Sequence, residues 1–218
     1  MAEIFFPSCK TKLAYPESSE KLNNYIKKKL NIETTGCCRP NHSKLTSNDT
    51  ALVVCNNCAA IIEESSQSKN IKFVWELINE DESFNFPNYH GETMVIQDCW
   101  TAFEKRHLQD TIRSLLSKMN INYIELEENF EKTRFCGTKL LSPCNPSNAK
   151  LAPKRYVKNG SHMFNPCSPK EQALYFKRYC KNIKEDKVIC YCTFCVDGIN
   201  IGEKQGVHII ELLFPEDK

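Results

Sequence analysis

Short apolar runs separated by polar, turn-forming stretches recur along the chain and predict strands alternating with amphipathic helices. Ile4-Phe5-Phe6 reads as a buried strand that delivers Cys9 near its end. Leu22, Tyr25, Ile26 and Leu30 fall at helical spacing with lysines on the other face, and Ser18 or Ser19 is the expected cap. Ala51-Leu52-Val53-Val54 predicts a second buried strand, and Ala59-Ala60-Ile61-Ile62 carries the chain from Cys58 into a helix. Phe73-Val74-Trp75-Glu76-Leu77-Ile78 is a third apolar run. Residues 79–92, with Asp81, Glu82, Pro87 and Asn88, have no apolar period and read as a link.

The pattern then repeats. Met94-Val95-Ile96 leads to Cys99 as Ile4-Phe5-Phe6 leads to Cys9. A helix is expected from about Phe103 to Met119, with Leu108, Ile112, Leu115, Leu116 and Met119 on one face. Tyr123-Ile124 is a short strand. Val188-Ile189-Cys190-Tyr191 leads into Cys192 and Cys195 as Leu52-Val53-Val54 leads into Cys55 and Cys58, and Ile209-Ile210-Glu211-Leu212-Leu213 answers the run at Val74. The expectation is an α/β fold of two similar Rossmann-like halves with mainly parallel sheets, related by internal duplication. The first half would span 1–80 and the second 93–218, with an insertion at about 138–167. That insertion is rich in Pro, Asn and basic residues, including Lys150, Lys154, Arg155 and Lys158. A helix capped by Ser168, with Pro169 in its first turn and Glu171 closing a capping box, follows it.

The charge balance, 29 basic against 27 acidic residues, offers no basis for a nucleic-acid partner, and none is expected. The first residues lack the pattern of a signal peptide, and no apolar run reaches the length of a membrane-spanning helix, so a cytoplasmic protein without direct membrane insertion is expected. In a reducing compartment, 13 cysteines, an odd number, point to metal or redox work rather than a disulfide framework. Walker, GxSxG and GxGxxG sequences are absent, which argues against nucleotide-dependent and serine-hydrolase chemistry.

The cysteines group by spacing. Cys9, the adjacent pair Cys37-Cys38, and the CxxC of Cys55 and Cys58 form one set; Cys99, Cys136, and the CxxC of Cys192 and Cys195 form another. Thiolates are the ligands that zinc and iron–sulfur clusters require, and a CxxC brings two sulfurs to one metal from a tight turn. The twofold arrangement of Cys, Cys-Cys and CxxC resembles the cysteine-rich CCG-domain proteins, among them the cysteine-rich component of heterodisulfide reductase and iron–sulfur components of glycolate and lactate oxidation systems. The resemblance covers nearly the whole chain outside the insertion. It implies a cluster, of the non-cubane four-iron kind, held by Cys9, Cys37, Cys38, Cys55 and Cys58, with Cys37 and Cys38 carrying any catalysis. It implies zinc or a second cluster at Cys99, Cys136, Cys192 and Cys195. A thiol or disulfide small molecule would be the substrate, and a ferredoxin-like or flavin-containing subunit the electron donor. The chain departs from the family pattern in three places. Arg39 stands where a glycine follows the first pair, Phe135 where the second pair would have its first cysteine, and the stretch from Cys38 to Cys55 is short.

Other readings stand beside this one. Zinc in one or both sites would hold the fold or a partner surface without catalysis. Cys55 and Cys58 alone would suit thiol–disulfide exchange. Cys180 and Cys190 read as core residues, Cys144 and Cys167 as loop-end thiols, Trp100 as packing, and the basic insertion as a solvated loop or a lid over an anionic substrate. His42 is the one histidine lying between two ligand cysteines of the first set.

Overall fold

The structure, a computed structural model, describes residues 2–216. Two compact units make up the chain. One contains Met1–Ser83, Asn145–Ser161 and Phe214–Lys218; the other contains Phe84–Cys144 and His162–Leu213.

The first unit is built on four strands, β1 (Glu3–Phe6), β2 (Glu33–Thr34), β3 (Thr50–Val53) and β4 (Asn70–Phe73), all parallel and ordered β2-β1-β3-β4. The register sets Phe5 beside Leu52 and Phe6 beside Val53, and all four side chains are buried. Helices α1 (Cys9–Ala14), α2 (Pro16–Tyr25), α3 (Cys38–Asn41), α4 (Asn56–Ser65) and α5 (Val74–Glu80) connect and flank the strands. Parallel strands buried on both faces read as short unbroken apolar runs, which is how β1 and β3 appear in the sequence.

One expectation is corrected here. Ser18 and Ser19 are buried inside α2 rather than capping it, because Pro16 takes the first turn; α1 already begins at Cys9. The third apolar run, Phe73 to Ile78, spans the end of a strand and the start of a helix. The strand stops at Phe73, whose N–H is taken by the Glu76 carboxylate at 2.6 Å, and Val74 starts a helix. His208 and Glu211 repeat this device at 2.9 Å in the second unit.

The second unit has β5 (Thr93–Gln97), β6 (Asn122–Glu125), β7 (Lys187–Cys190) and β8 (Gln205–His208), again all parallel, in the order β6-β5-β7-β8. Helix α6 (Arg106–Lys118) lays Leu108, Ile112, Leu115 and Leu116, all fully buried, along one stripe. Each such side chain contributes roughly 1.5–3 kcal/mol by leaving water. The helix starts three residues later than its apolar period suggested, because a single 3-10 turn, Trp100–Ala102, comes first.

Only the two ends of the expected insertion, 138–144 and 162–167, stay with the second half. Asn145–Ser161, which includes α7 (Pro146–Leu151) and the wide turn Lys154–Lys158, belongs to the first unit and forms a strap on α4. Glu64 of α4 accepts the backbone N–H groups of Lys154 (2.6 Å) and Arg155 (2.9 Å), Ser65 donates to the Leu151 carbonyl, and the Tyr156 hydroxyl donates to Asn57 at 2.7 Å. Tyr156 is fully buried, so this is a packed element and not a solvated loop. The second unit is completed by α8 (Pro169–Cys180), α9 (Thr193–Ile201) and α10 (Ile209–Leu213). The cap of α8 forms as the sequence indicates, with the Glu171 N–H donating to Ser168 Oγ and the Ser168 N–H donating to the Glu171 carboxylate. Cys180 and Cys190 lie in the core. Among the described residues no helix is long and apolar enough to cross a membrane.

Candidate metal centres

Strand order explains why distant cysteines meet. In each sheet the chain leaves the first strand toward one edge and the third toward the other, so a crevice opens beyond the carboxyl ends of these two central neighbours. Cys9 follows β1 and Cys55 follows β3; Cys99 follows β5 and Cys192 follows β7. The crevice is thus where both CxxC sets begin their helices. Cys55 precedes α4 and Cys192 precedes α9, and three residues on, nearly one helical turn, Cys58 and Cys195 return to the same end.

In the second unit the four sulfurs of Cys99, Cys136, Cys192 and Cys195 all lie within 4.8 Å of one another, with Cys99 and Cys136 Sγ at 3.4 Å. This group could hold a metal ion. Zinc–sulfur bonds of about 2.3 Å in a tetrahedron put the sulfurs about 3.8 Å apart, a separation that lies inside the 4.8 Å limit of this group. Cys99, Cys136 and Cys195 are buried and Cys192 is partly so. Phe135 does not point a ring into solvent. It stacks on Tyr179 at 4.4 Å and meets Phe176 edge-on, while its carbonyl accepts the Trp100 N–H at 2.8 Å.

Gly137 makes the approach of Cys136 possible. Its φ of +50° favours glycine, and a Cβ there would overlap the Phe194 carbonyl oxygen in the first turn of α9. A buried ion pair holds the other side. Asp98 receives Arg113 Nη1 at 3.1 Å and Nη2 at 2.9 Å, the Phe130 N–H at 2.8 Å and the Tyr191 hydroxyl at 3.0 Å. Tyr191 in turn accepts the Cys99 N–H at 3.2 Å, so the pair fixes the backbone of the first ligand. Sequence reading missed Asp98, Arg113 and Tyr191; the only signals were an aspartate directly before Cys99 and a tyrosine directly before Cys192.

The four thiols share protons unequally. Burial would raise Cys99, but contacts with Cys136, Cys192, Cys195 and Thr101 outweigh it and bring it well below the ordinary thiol value. Contacts with Cys136 and then Cys195 lower Cys192. Contact with Cys192 holds Cys136 well above that value, and burial does the same for Cys195. A metal requires all four as thiolates, so uptake must expel the protons of Cys136 and Cys195. Metal affinity is therefore expected to fall as pH falls, because uptake releases thiol protons. Titrating metal at several pH values in weakly and strongly ionising buffers checks this; a pH-independent affinity would contradict it. His208, another residue the sequence did not single out, is buried near enough to Cys192 to feel its charge. Burial nevertheless holds it down to about 4, and its Nδ1 accepts the Ile210 N–H at 3.2 Å.

In the first unit the five thiols also come together. Contacts run from Cys9 to Cys37, Cys37 to Cys38, Cys38 to Cys58 and Cys58 to Cys55. Burial, followed by Cys37, raises the Cys9 thiol; contact with Cys58 lowers Cys38; contact with Cys38 holds Cys58 well up. Cys9 is exposed and Cys37 and Cys55 are half-buried, so this set opens to solvent where the second is closed. His42 is beside the pair, but its Nδ1 lies 2.7 Å from the Arg39 carbonyl and 3.2 Å from that of Cys38, so that nitrogen carries a proton and is no ligand. Comparison with protein-family models, curated proteins and solved structures yields no match to this chain.

Proposed function

We propose that the chain is an iron–sulfur redox protein resembling the cysteine-rich component of heterodisulfide reductase, with a cluster on Cys9, Cys37, Cys38, Cys55 and Cys58 and a structural zinc ion on Cys99, Cys136, Cys192 and Cys195. The observation that carries this reading is the contrast in access: in one unit five thiols of which Cys9 is exposed and Cys37 and Cys55 are half-buried, in the other four sulfurs within 4.8 Å of one another with three of them buried. An open set leaves room for a substrate, and five sulfurs exceed what one tetrahedral ion needs. A cubane spreads its ligand sulfurs over separate irons, so the tight second set suits a single ion better. The matching strand order and matching cysteine placement in the two sheets support an origin of the halves by duplication.

The work assigned to the first site is reduction of a disulfide, or electron relay to one. The disulfide takes two electrons and two protons and leaves as two thiols. A bound cluster supplies one-electron chemistry and a Lewis-acidic iron. Cys37 lies on the partly open side, while Cys58 and the buried Cys38 tie the set to α4 and α3. Electrons would come from a ferredoxin-like or flavin-containing subunit.

Purification without oxygen is expected to give iron with acid-labile sulfide plus one zinc. Cys37→Ser should abolish the iron and its visible absorption and leave the zinc. Cys192→Ser should do the reverse. A second reading, zinc in both sites without catalysis, draws on the close grouping of the four sulfurs in the second unit; zinc without iron or sulfide would establish it in place of the first. A chain that binds neither metal would leave only thiol exchange at Cys55 and Cys58.

A further inference from the structure

Two residues directly following ligand cysteines of the first set carry buried hydrogen-bond donors with no partner among the described residues. Asn56, between Cys55 and Cys58, is 3 % exposed, and its Nδ2 is one of them. Arg39, directly after Cys38, has its Nε buried in the same state. Leaving a donor dry and unpaired costs about 1–3 kcal/mol, and natural folds rarely accept one without an acceptor in view. Water cannot reach these atoms, so the acceptor has to be a group that sits in the interior with them. Asn56 lies inside the CxxC and Arg39 directly follows the cysteine pair, so the sulfur atoms of the first set are the candidates nearest in the chain. As thiols they are weak acceptors; as metal-bound thiolates they carry negative charge.

Arg39 is also held from the strap. Its Nη2 donates to Asn148 Oδ1 at 3.0 Å, and Asn148 is a buried residue of α7. The guanidinium is a rigid fork that stays charged at all relevant pH, so this bond fixes the plane of the whole group. Its charge already acts on Cys38. The second unit has nothing equivalent at the matching positions: Gly137 follows Cys136 and Thr193 follows Cys192. A set of five thiolates carries more negative charge than a set of four, and the larger set is the one with a cation directly after its cysteine pair.

We propose that Arg39 and Asn56 donate hydrogen bonds to the metal-bound sulfurs of the first site, that Arg39 offsets their charge, and that the strap acts on the site by holding Arg39 through Asn148. This rests on the reading that the first five thiols hold a metal centre. Arg39 and Asn56 are positioning residues in this scheme, since neither is a ligand. The presence of the strap then has a chemical reason, and so does an arginine at the position after the cysteine pair.

The test uses the full chain, purified without oxygen, with two readouts. The first is retention of first-site metal against a chelator. Arg39→Gln is expected to weaken it about 10–100-fold, the usual effect of removing a group that supports a ligand. The second is the midpoint potential of the first site. Removing a positive charge disfavours the reduced, more negative state, and a tenfold effect on that equilibrium is a fall of about 59 mV for one electron. Asn56→Ala should move both readouts the same way by less. Asn148→Ala should reproduce part of the Arg39→Gln effect, and Arg39→Lys should restore most of the potential because it restores the charge. Zinc at the second site should stay in every variant. Unchanged retention and potential in Arg39→Gln would overturn the proposal, as would equal loss of both metals with a lowered melting temperature, which marks general unfolding. A first site that takes no metal overturns it too. If that site carries zinc alone, the redox reading fails while the retention measurement still decides the role of Arg39 and Asn56.

Discussion

Asp98→Ala is expected to destabilise the second unit by about 3–5 kcal/mol, the usual cost of removing one partner of a buried ion pair. The substitution leaves the Arg113 charge half-compensated by Glu125, and strands the Phe130 N–H and the Tyr191 hydroxyl. Since domains are stable by only about 5–15 kcal/mol, this is a large fraction of the total. The effect should reach the metal, because Tyr191 then loses the partner that orients it toward the Cys99 backbone. Urea unfolding together with zinc content measures both. Asp98→Asn, which keeps an acceptor but no charge, should fall between wild type and Ala. A loss below about 1 kcal/mol for Ala would put the pair in the class of surface bridges and remove its role at the site.

Gly137→Ala is the second large effect. The residue sits at φ +50° with the Phe194 carbonyl where a Cβ would go, and the Cα of Cys195 is 2.9 Å from the same point. Relief requires Cys136 or the first turn of α9 to move, and together with Cys192 at the start of that helix these carry three of the four sulfurs. A cost of at least about 4 kcal/mol and loss of the second metal are expected, at the far end of what single substitutions do. Metal analysis and thermal unfolding of the variant check it, with Gly206→Ala, whose nearest neighbours stand off at 3.0 Å, as a milder comparison. A Gly137→Ala protein that folds and keeps its metal would show that the turn after Cys136 is looser than its geometry says.

Much of the fold was legible because parallel, doubly buried strands announce themselves. Phe5-Phe6, Leu52-Val53 and Val188-Ile189 are short apolar runs shortly before a cysteine, and they became β1, β3 and β7. The cysteine spacing was enough to group the thiols, since a CxxC at the start of a helix constrains both sulfurs locally. What the sequence did not reveal depends on contacts between distant residues. A run such as Val74-Trp75-Glu76-Leu77-Ile78 suits a strand or a buried helix equally, and the deciding feature was a single carboxylate reaching back to Phe73. Nothing local marks Asn145–Ser161 as part of the first unit. That follows from Glu64 meeting two backbone N–H groups, pairings 90 and 91 residues apart in the chain, and from Tyr156 being buried. The Asp98–Arg113 pair is of the same kind: an aspartate and an arginine in a charged sequence look like surface until both are seen inside.

The strap has a bearing on biosynthesis. The chain passes from one unit to the other at Ser83–Phe84, Cys144–Asn145, Ser161–His162 and Leu213–Phe214, so neither unit is a continuous segment. As the polypeptide emerges from a ribosome, all five cysteines of the first set are out long before Asn148, which holds Arg39 in place. During that interval α4 is uncovered along the side that Glu64 and Asn57 later give to the strap. The five cysteines of the first set are therefore without their strap for as long as translation takes to reach Ser161. The same ordering means that cutting the gene between the two halves does not yield two domains, because a fragment ending at Ser83 lacks the piece that finishes it.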